Sequence, residues 1–271
     1  MPSSGTYPAF KQTRAAILDQ IGCMLKRAIF DDVTEHLTQV KLMPLPAQFS
    51  VQSYAGAYGA GQMGYESMTA GQLTSFYQGL HGMLVGDVEN EIQKFLSNRT
   101  RNYFFKKTRE LFDKMACFYE RTVAITGVPD ELMKAVQKYT PYKTVIASRC
   151  NVVDGRYDSI YSEEEIRDGV PEKAQKIHPL VGSLEKIRAV ERLDMKEPIY
   201  WPKSSAWGNS EQDLLILRRV PYPLLFNIST DSEMSKIADH NKWETVDADS
   251  DDPERNILVV ERSLKKLGLT G

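Results

Sequence analysis

The sequence has few cysteines, almost no net charge and no long apolar run, and each shortage removes a class of protein. Its three cysteines, Cys23, Cys117 and Cys150, lie far apart with no CxxC pair. That leaves no sign of a disulfide framework or a thiolate zinc site, and it fits an intracellular, reducing compartment, either cytoplasm or organelle matrix such as the mitochondrion. No apolar stretch reaches the roughly 18 residues that a bilayer-spanning helix needs, so a soluble chain without an integral membrane segment is expected. The 34 Lys and Arg nearly balance 36 Asp and Glu, for a formal charge of -2. Such a balance gives no global pull toward nucleic acid or anionic lipid. Acids are missing from the first 18 residues, which carry Lys11 and Arg14 among Ser and Thr. A short polar arm over residues 1–14 is expected there, with a weaker likeness to an organelle transit peptide.

What is present is enough apolar material for a substantial core. With 271 residues, 42% hydrophobic and 26% charged, the chain can form one large domain or a domain with an insert. Ala15 to Leu18 is a short apolar run entering Asp19, readable as a buried strand or as the start of a helix through Met24, Leu25, Ile29, Val33 and Leu37. Met43 to Gly71, rich in Pro, Gly, Ala, Ser and Tyr, predicts a long irregular connection whose glycines allow close backbone approach. Its tyrosines, Tyr54, Tyr58 and Tyr65, are expected to pack on a core, with a ligand cleft as the sharper alternative. From Gln72 to Glu120 the pattern turns helical, with Leu73, Phe76, Leu80 and Leu84 on one stripe and Ile92, Phe95 and Leu96 on another. The basic and aromatic stretch Arg99 to Arg109 reads as an amphipathic helix with solvated charges rather than as a nucleic-acid surface.

Beyond Thr122, short β-prone runs alternate with helical ones. Val123 to Ile125 ends in Thr126-Gly127, and Pro129 opens a helix through Leu132, Met133 and Val136. Thr144 to Ala147 predicts the next strand, followed by Asp154-Gly155, a hairpin signal. Glu163 to Lys176 and Leu184 to Leu193 are helix-compatible, and Ile199 to Trp201 predicts a strand limited by Pro202. Ala206 to Leu217, Pro223 to Asn227 and a helix from Glu233 to His240 close the series. This alternation predicts a mostly parallel sheet with helices on both faces and a site at the carboxyl ends of its strands.

Taken in order, these pieces resemble the haloacid dehalogenase superfamily, in its phosphoserine-phosphatase-like branch. Val123-Ala-Ile-Thr-Gly-Val-Pro-Asp-Glu-Leu132 is similar to that branch's second motif, and Gly208-Asn-Ser-Glu-Gln-Asp-Leu-Leu-Ile-Leu217 to its fourth, usually Gly-Asp-Ser-x-x-Asp. Asp19-Gln-Ile-Gly-Cys23 best imitates the first motif, Asp-x-Asp-x-Thr, with Asp31-Asp-Val-Thr34 as a rival. The resemblance implies an α/β fold: a Rossmann-like core over residues 15–40 and 120–271, and a helical cap at 41–119 inserted after the first strand. It also implies a chemistry. The first Asp attacks phosphorus, a second Asp two positions on protonates the leaving oxygen, a Ser or Thr and a Lys hold the phosphoryl group, and acids of the fourth motif hold magnesium.

Mapped onto this chain, Asp19, Thr126 and Asp213 keep their types, and Lys186 supplies the third-motif lysine with Lys173 as runner-up. Two positions depart. Ile21 stands at the acid-base position and can move no proton, and Asn209 replaces a metal carboxylate, which would weaken a magnesium site made of Asp19 and Asp213. Loss of a general acid alone typically costs about 10²- to 10⁴-fold in rate. The expectation is therefore a member silent as an ordinary phosphatase, serving as a structural or interaction subunit with protein partners. It would have no cofactor and no nucleic acid. The alternative is an active hydrolase using Asp19 on a small-molecule substrate, with magnesium if the site works as in phosphatases.

Overall fold

The computed structural model describes residues 12–160, 176–230, 232–247 and 253–269. In chain order the elements are strand β1 (Ala15–Asp19), then helices α1 (Ala28–Gln39), α2 (Leu45–Gly59), α3 (Tyr65–Gly79), α4 (Val85–Ser97), α5 (Thr100–Tyr103) and α6 (Lys106–Ala116). Next come β2 (Arg121–Pro129), α7 (Asp130–Gln137), β3 (Thr144–Val153), β4 (Arg156–Asp158), β5 (Ile177–His178), α8 (Ser183–Lys196) and β6 (Ser205–Gly208). The last are α9 (Leu214–Leu217), β7 (Leu224–Phe226), α10 (Glu233–Asn241), β8 (Glu244–Val246) and α11 (Pro253–Lys266).

The sheet runs β4-β3-β2-β1-β6-β7-β8, with β5 attached to β3. β1 is its central strand. All five of its residues are buried, as a strand covered on both faces requires, so the ambiguous run Ala15 to Leu18 is a strand and the helix begins later, at α1. β2 and β6 flank β1 and run parallel to it, while β4 and β5 pair antiparallel with β3. Chain order departs in opposite directions from β1, toward β2 and β3 on one side and toward β6, β7 and β8 on the other. The carboxyl end of such a switch point is where a parallel sheet leaves a crevice. One apolar cluster, including Leu18, Phe76, Phe112 and Trp207, packs on one face of the sheet, and a second, with Ile17, Ile125, Val190 and Leu225, packs on the other.

Two expectations are corrected. The segment Met43 to Gly71 is largely helical, because it forms α2 and the start of α3, broken only by a turn in which Gly61 takes a φ of 70°. Gly71 serves helix contact: a Cβ there would stand 2.4 Å from the Tyr54 ring, so α2 and α3 pack closely where a side chain is absent. Ile199 to Trp201 forms no strand. Ile199 makes one isolated bridge to Thr13, and Trp201–Lys203 is a 3-10 turn, as Pro202 lacks the N–H a strand would need.

Elsewhere the local signals match the backbone. Asp154 and Gly155 take φ of 49° and 74°, the paired left-handed geometry of a tight hairpin between β3 and β4. Leu73, Phe76 and Leu80 are buried on one stripe, whereas Leu84 falls outside it and is exposed. In the Arg99 to Arg109 stretch, Tyr103 and Phe104 are buried while Arg99 and Arg109 lie over the rings of Phe95 and Phe104. The arm before residue 12 and most of Glu163 to Lys176, including Lys173, lie outside the described residues.

Candidate functional site

Three neighbouring strands deliver the site. Asp19 is the last residue of β1; Ile125 of β2 is its register partner, so Thr126 emerges one step further on; and β6 ends at Gly208, just before the turn carrying Asn209 to Asp213. Lys186 reaches the same point from the first turn of α8. Its Nζ donates to Asp19 Oδ1 at 2.9 Å and to Asp213 Oδ1 at 2.7 Å. The three are almost fully enclosed, with 5%, 2% and 2% of Asp19, Lys186 and Asp213 exposed. Asp31, the rival for the first motif, sits in the first turn of α1 and not at a strand end.

Burial dominates the electrostatics. It pushes the Asp19 carboxyl up to about 7, against the pull of the Lys186 ammonium and with added repulsion from Asp213. Burial alone would lower the Lys186 ammonium, but the two carboxylates outweigh it and hold it above the ordinary lysine range. Cys23, behind Asp19 and fully buried, has its thiol pushed up by burial first and then by the nearby carboxylates, so it stays protonated.

Above this floor lies a small cavity of about 50 Å³. Asp19, Thr126 and Lys186 line it from below, and Ile21 lines it where the resemblance calls for an acid. Thr126 Oγ1 accepts from the N–H of Val128 at 3.2 Å, a local turn that holds the hydroxyl in place. Ser148 Oγ braces the same loop, donating to the Gly127 carbonyl at 2.8 Å and accepting from the Leu180 N–H at 2.9 Å. From the helical side come Arg27, Tyr65, Met68 and Gln72. The Arg27 guanidinium lies 5.8 Å from the ring centres of both Tyr58 and Tyr65 and donates to Gln72 Oε1 at 3.3 Å. Tyr65 thus faces the cleft, while Tyr54 packs on Gly71. Sequence reasoning missed Arg27, whose position in the loop leaving β1, eight residues past Asp19, was the available signal.

The donor set is poor in free carboxylate oxygens. Asp213 Oδ2 is taken by the N–H groups of Asn209 and Ser210 at 3.1 and 3.2 Å and by Ser210 Oγ at 3.0 Å, and its Oδ1 is taken by Lys186. Position 209 contributes a neutral amide, which packs over Gly22. Among the described residues no group of three or more His, Cys, Asp or Glu is suited to hold a metal. Hard divalent cations want several oxygen ligands, carboxylates above all. Here two carboxylates share one buried ammonium instead.

This mostly parallel sheet with helices on both faces has the Rossmann-like fold of solved haloacid dehalogenase family hydrolases and phosphoserine phosphatases. Among solved structures, a protein of unknown function from Bordetella pertussis Tohama I superposes with a TM-score of 0.65 at 15% identity, over 88% of this chain and 100% of that one. A phosphoserine phosphatase captured as a phospho-aspartyl intermediate analogue gives 0.54 at 13% identity, over 92% and 98% of the two chains. A family hydrolase from Salmonella enterica serovar Typhi gives 0.53 at 10% identity, over 88% and 68%. No family model and no curated protein sequence matches the chain.

Proposed function

We propose that this protein is a haloacid-dehalogenase-like protein silent as a magnesium-dependent phosphatase and retained as an interaction or structural subunit of an intracellular assembly, with residues 41–119 as its cap. The observation that carries this reading is the floor of the cavity. Lys186 is shared by Asp19 and Asp213, the remaining oxygen of Asp213 is saturated, and Ile21 supplies no acid. A phosphoryl leaving group would find no proton donor at that position, and magnesium no third carboxylate. The three free thiols support a reducing compartment. Assayed with small phosphomonoesters and magnesium, the protein should turn over no faster than its Asp19→Asn variant. A rate well above that control would end this reading.

The lining of the cavity favours a second reading, a metal-independent hydrolase of small molecules. Asp19 and the Thr126 hydroxyl share the cavity with Arg27. Attack by the Asp19 carboxylate on the halogen-bearing carbon of a haloacid would form an enzyme ester as the carbon–halogen bond breaks and halide leaves, a step that needs no proton donor at Ile21 and no metal. Intact-mass spectrometry after exposure to haloacids and related substrates discriminates the two: a covalent adduct on Asp19 favours the hydrolase, and an unmodified chain across the panel favours the silent protein.

A further inference from the structure

A second groove, bordered by α8, β3 and β5, shares no lining residue with the cavity over Asp19. Its floor is apolar, with Ile146, Leu180, Ala189 and Leu193. Its rim is basic, with Arg149, Arg188, Arg192 and Lys196 against the single acid Glu185. Arg188, Arg192 and Lys196 recur at every fourth residue of α8, which sets them on one face over about 12 Å.

Among the described residues, no ion pair engages Arg188, Arg192 or Lys196. The other acids at the end of this helix are engaged elsewhere: Glu191 pairs with Arg219, Glu197 with Arg121, and Asp194 accepts from the Ile199 N–H at 2.6 Å and from Trp201 Nε1 at 2.9 Å. Arg149 finds its nearest carboxylate, Asp130, at 3.7 Å and keeps 62% of its side chain exposed. Four positive charges over an apolar floor, in a chain whose net charge is -2, form a local field of opposite sign to the whole.

We propose that this groove docks a segment of a partner protein in which acidic residues alternate with aliphatic ones. The aliphatic side chains would fill the floor and the carboxylates would meet the arginines, whose planar forks suit them. A nucleic acid fits less well: among the described residues no Phe, Tyr or Trp lines the groove on which bases could stack. The assignment holds whether or not Asp19 performs chemistry.

The test is fluorescence anisotropy on the full chain with a labelled peptide of alternating Glu and Leu. Saturable binding is expected, weakening as salt rises, and the R188E/R192E variant should lose about tenfold or more in affinity. Both positions are exposed, and circular dichroism checks that this variant folds. The Asp19→Asn variant should bind the peptide unchanged, which separates this outcome from any failure of the silent-phosphatase reading. The proposal falls if binding is absent, if R188E/R192E binds equally well, or if a single-stranded oligonucleotide of matched charge binds as tightly. It also falls if sedimentation shows self-association that R188E/R192E abolishes, since the groove would then belong to a second copy of this chain.

Discussion

The two sides of the cavity over Asp19 are built on opposite principles. The sheet side is a closed electrostatic unit, in which Asp19, Lys186 and Asp213 are buried and bound to one another. The helical side is assembled from rings, a thioether and one guanidinium, and its α2–α3 pair is set by the absence of a side chain at Gly71. A buried charge set fails when one member is removed, because the others are left uncompensated. A packed layer of small residues yields by shifting, at modest cost. Substitutions on the floor should therefore cost far more than substitutions in the roof.

The largest effect is expected from Lys186→Met. It leaves two carboxylates in the interior without a cation, and breaking a buried pair this way typically costs about 3–5 kcal/mol. Urea unfolding measures it. The deficit should be larger at alkaline pH than in mild acid, where the carboxylates can protonate. A loss under about 1 kcal/mol, typical of exposed pairs, would mean that the floor is solvated and the contrast with the roof is false.

A smaller effect, one of pH, comes from Asp19→Asn. The folded-state pKa of Asp19 is raised to about 7, above the ordinary carboxyl value near 3.8. Between those values the folded state binds more protons than the unfolded one, so this group's contribution is fully present below about pH 4 and is lost as pH rises to 7. The neutral variant lacks that loss. Its stability relative to the unsubstituted protein should climb across this window and level off above it, as followed by thermal unfolding in a buffer series. A difference that stays flat would mean that Lys186 compensates Asp19 fully, despite the burial.

The same contrast explains what could be read from the sequence. The floor is written in short polar punctuation: Thr126-Gly127 where the β2 register shifts, and Gly208-Asn-Ser-Glu-Gln-Asp213 capping a turn. Each such signal acts within a few residues, so its spacing survives in one dimension. A grouping of Asp19, Thr126, Lys186 and Asp213 follows only from the family resemblance, which leaves Asp31 and Lys173 as alternatives, because distances between strands are absent from spacing alone. The roof is different. Leu45–Gly59 has no apolar stripe to mark a helix, and its packing depends on small residues meeting a ring 17 positions away, as Tyr54 meets Gly71. Composition of that kind reads as loop because the compensating contact is tertiary. Arg27 was hidden for a related reason, since its partners Gln72, Tyr58 and Tyr65 arrive from α2 and α3.

The smallest effect tests the roof itself. Gly71→Ala adds a methyl 2.4 Å from the Tyr54 ring, which must swing or push α2 away. The same change gains up to about 1 kcal/mol of helix propensity, because Gly71 lies within α3. Clash and propensity oppose each other, and the net loss should be about 1 kcal/mol or less in urea unfolding. The decisive measurement is the double-mutant cycle. With Tyr54→Ala in place the clash is gone and only propensity remains, so Gly71→Ala should become stabilising by about 0.5–1 kcal/mol. A substitution that is equally costly in both backgrounds would show that the glycine is required by something other than the Tyr54 ring. The roof would then be as rigidly specified as the floor.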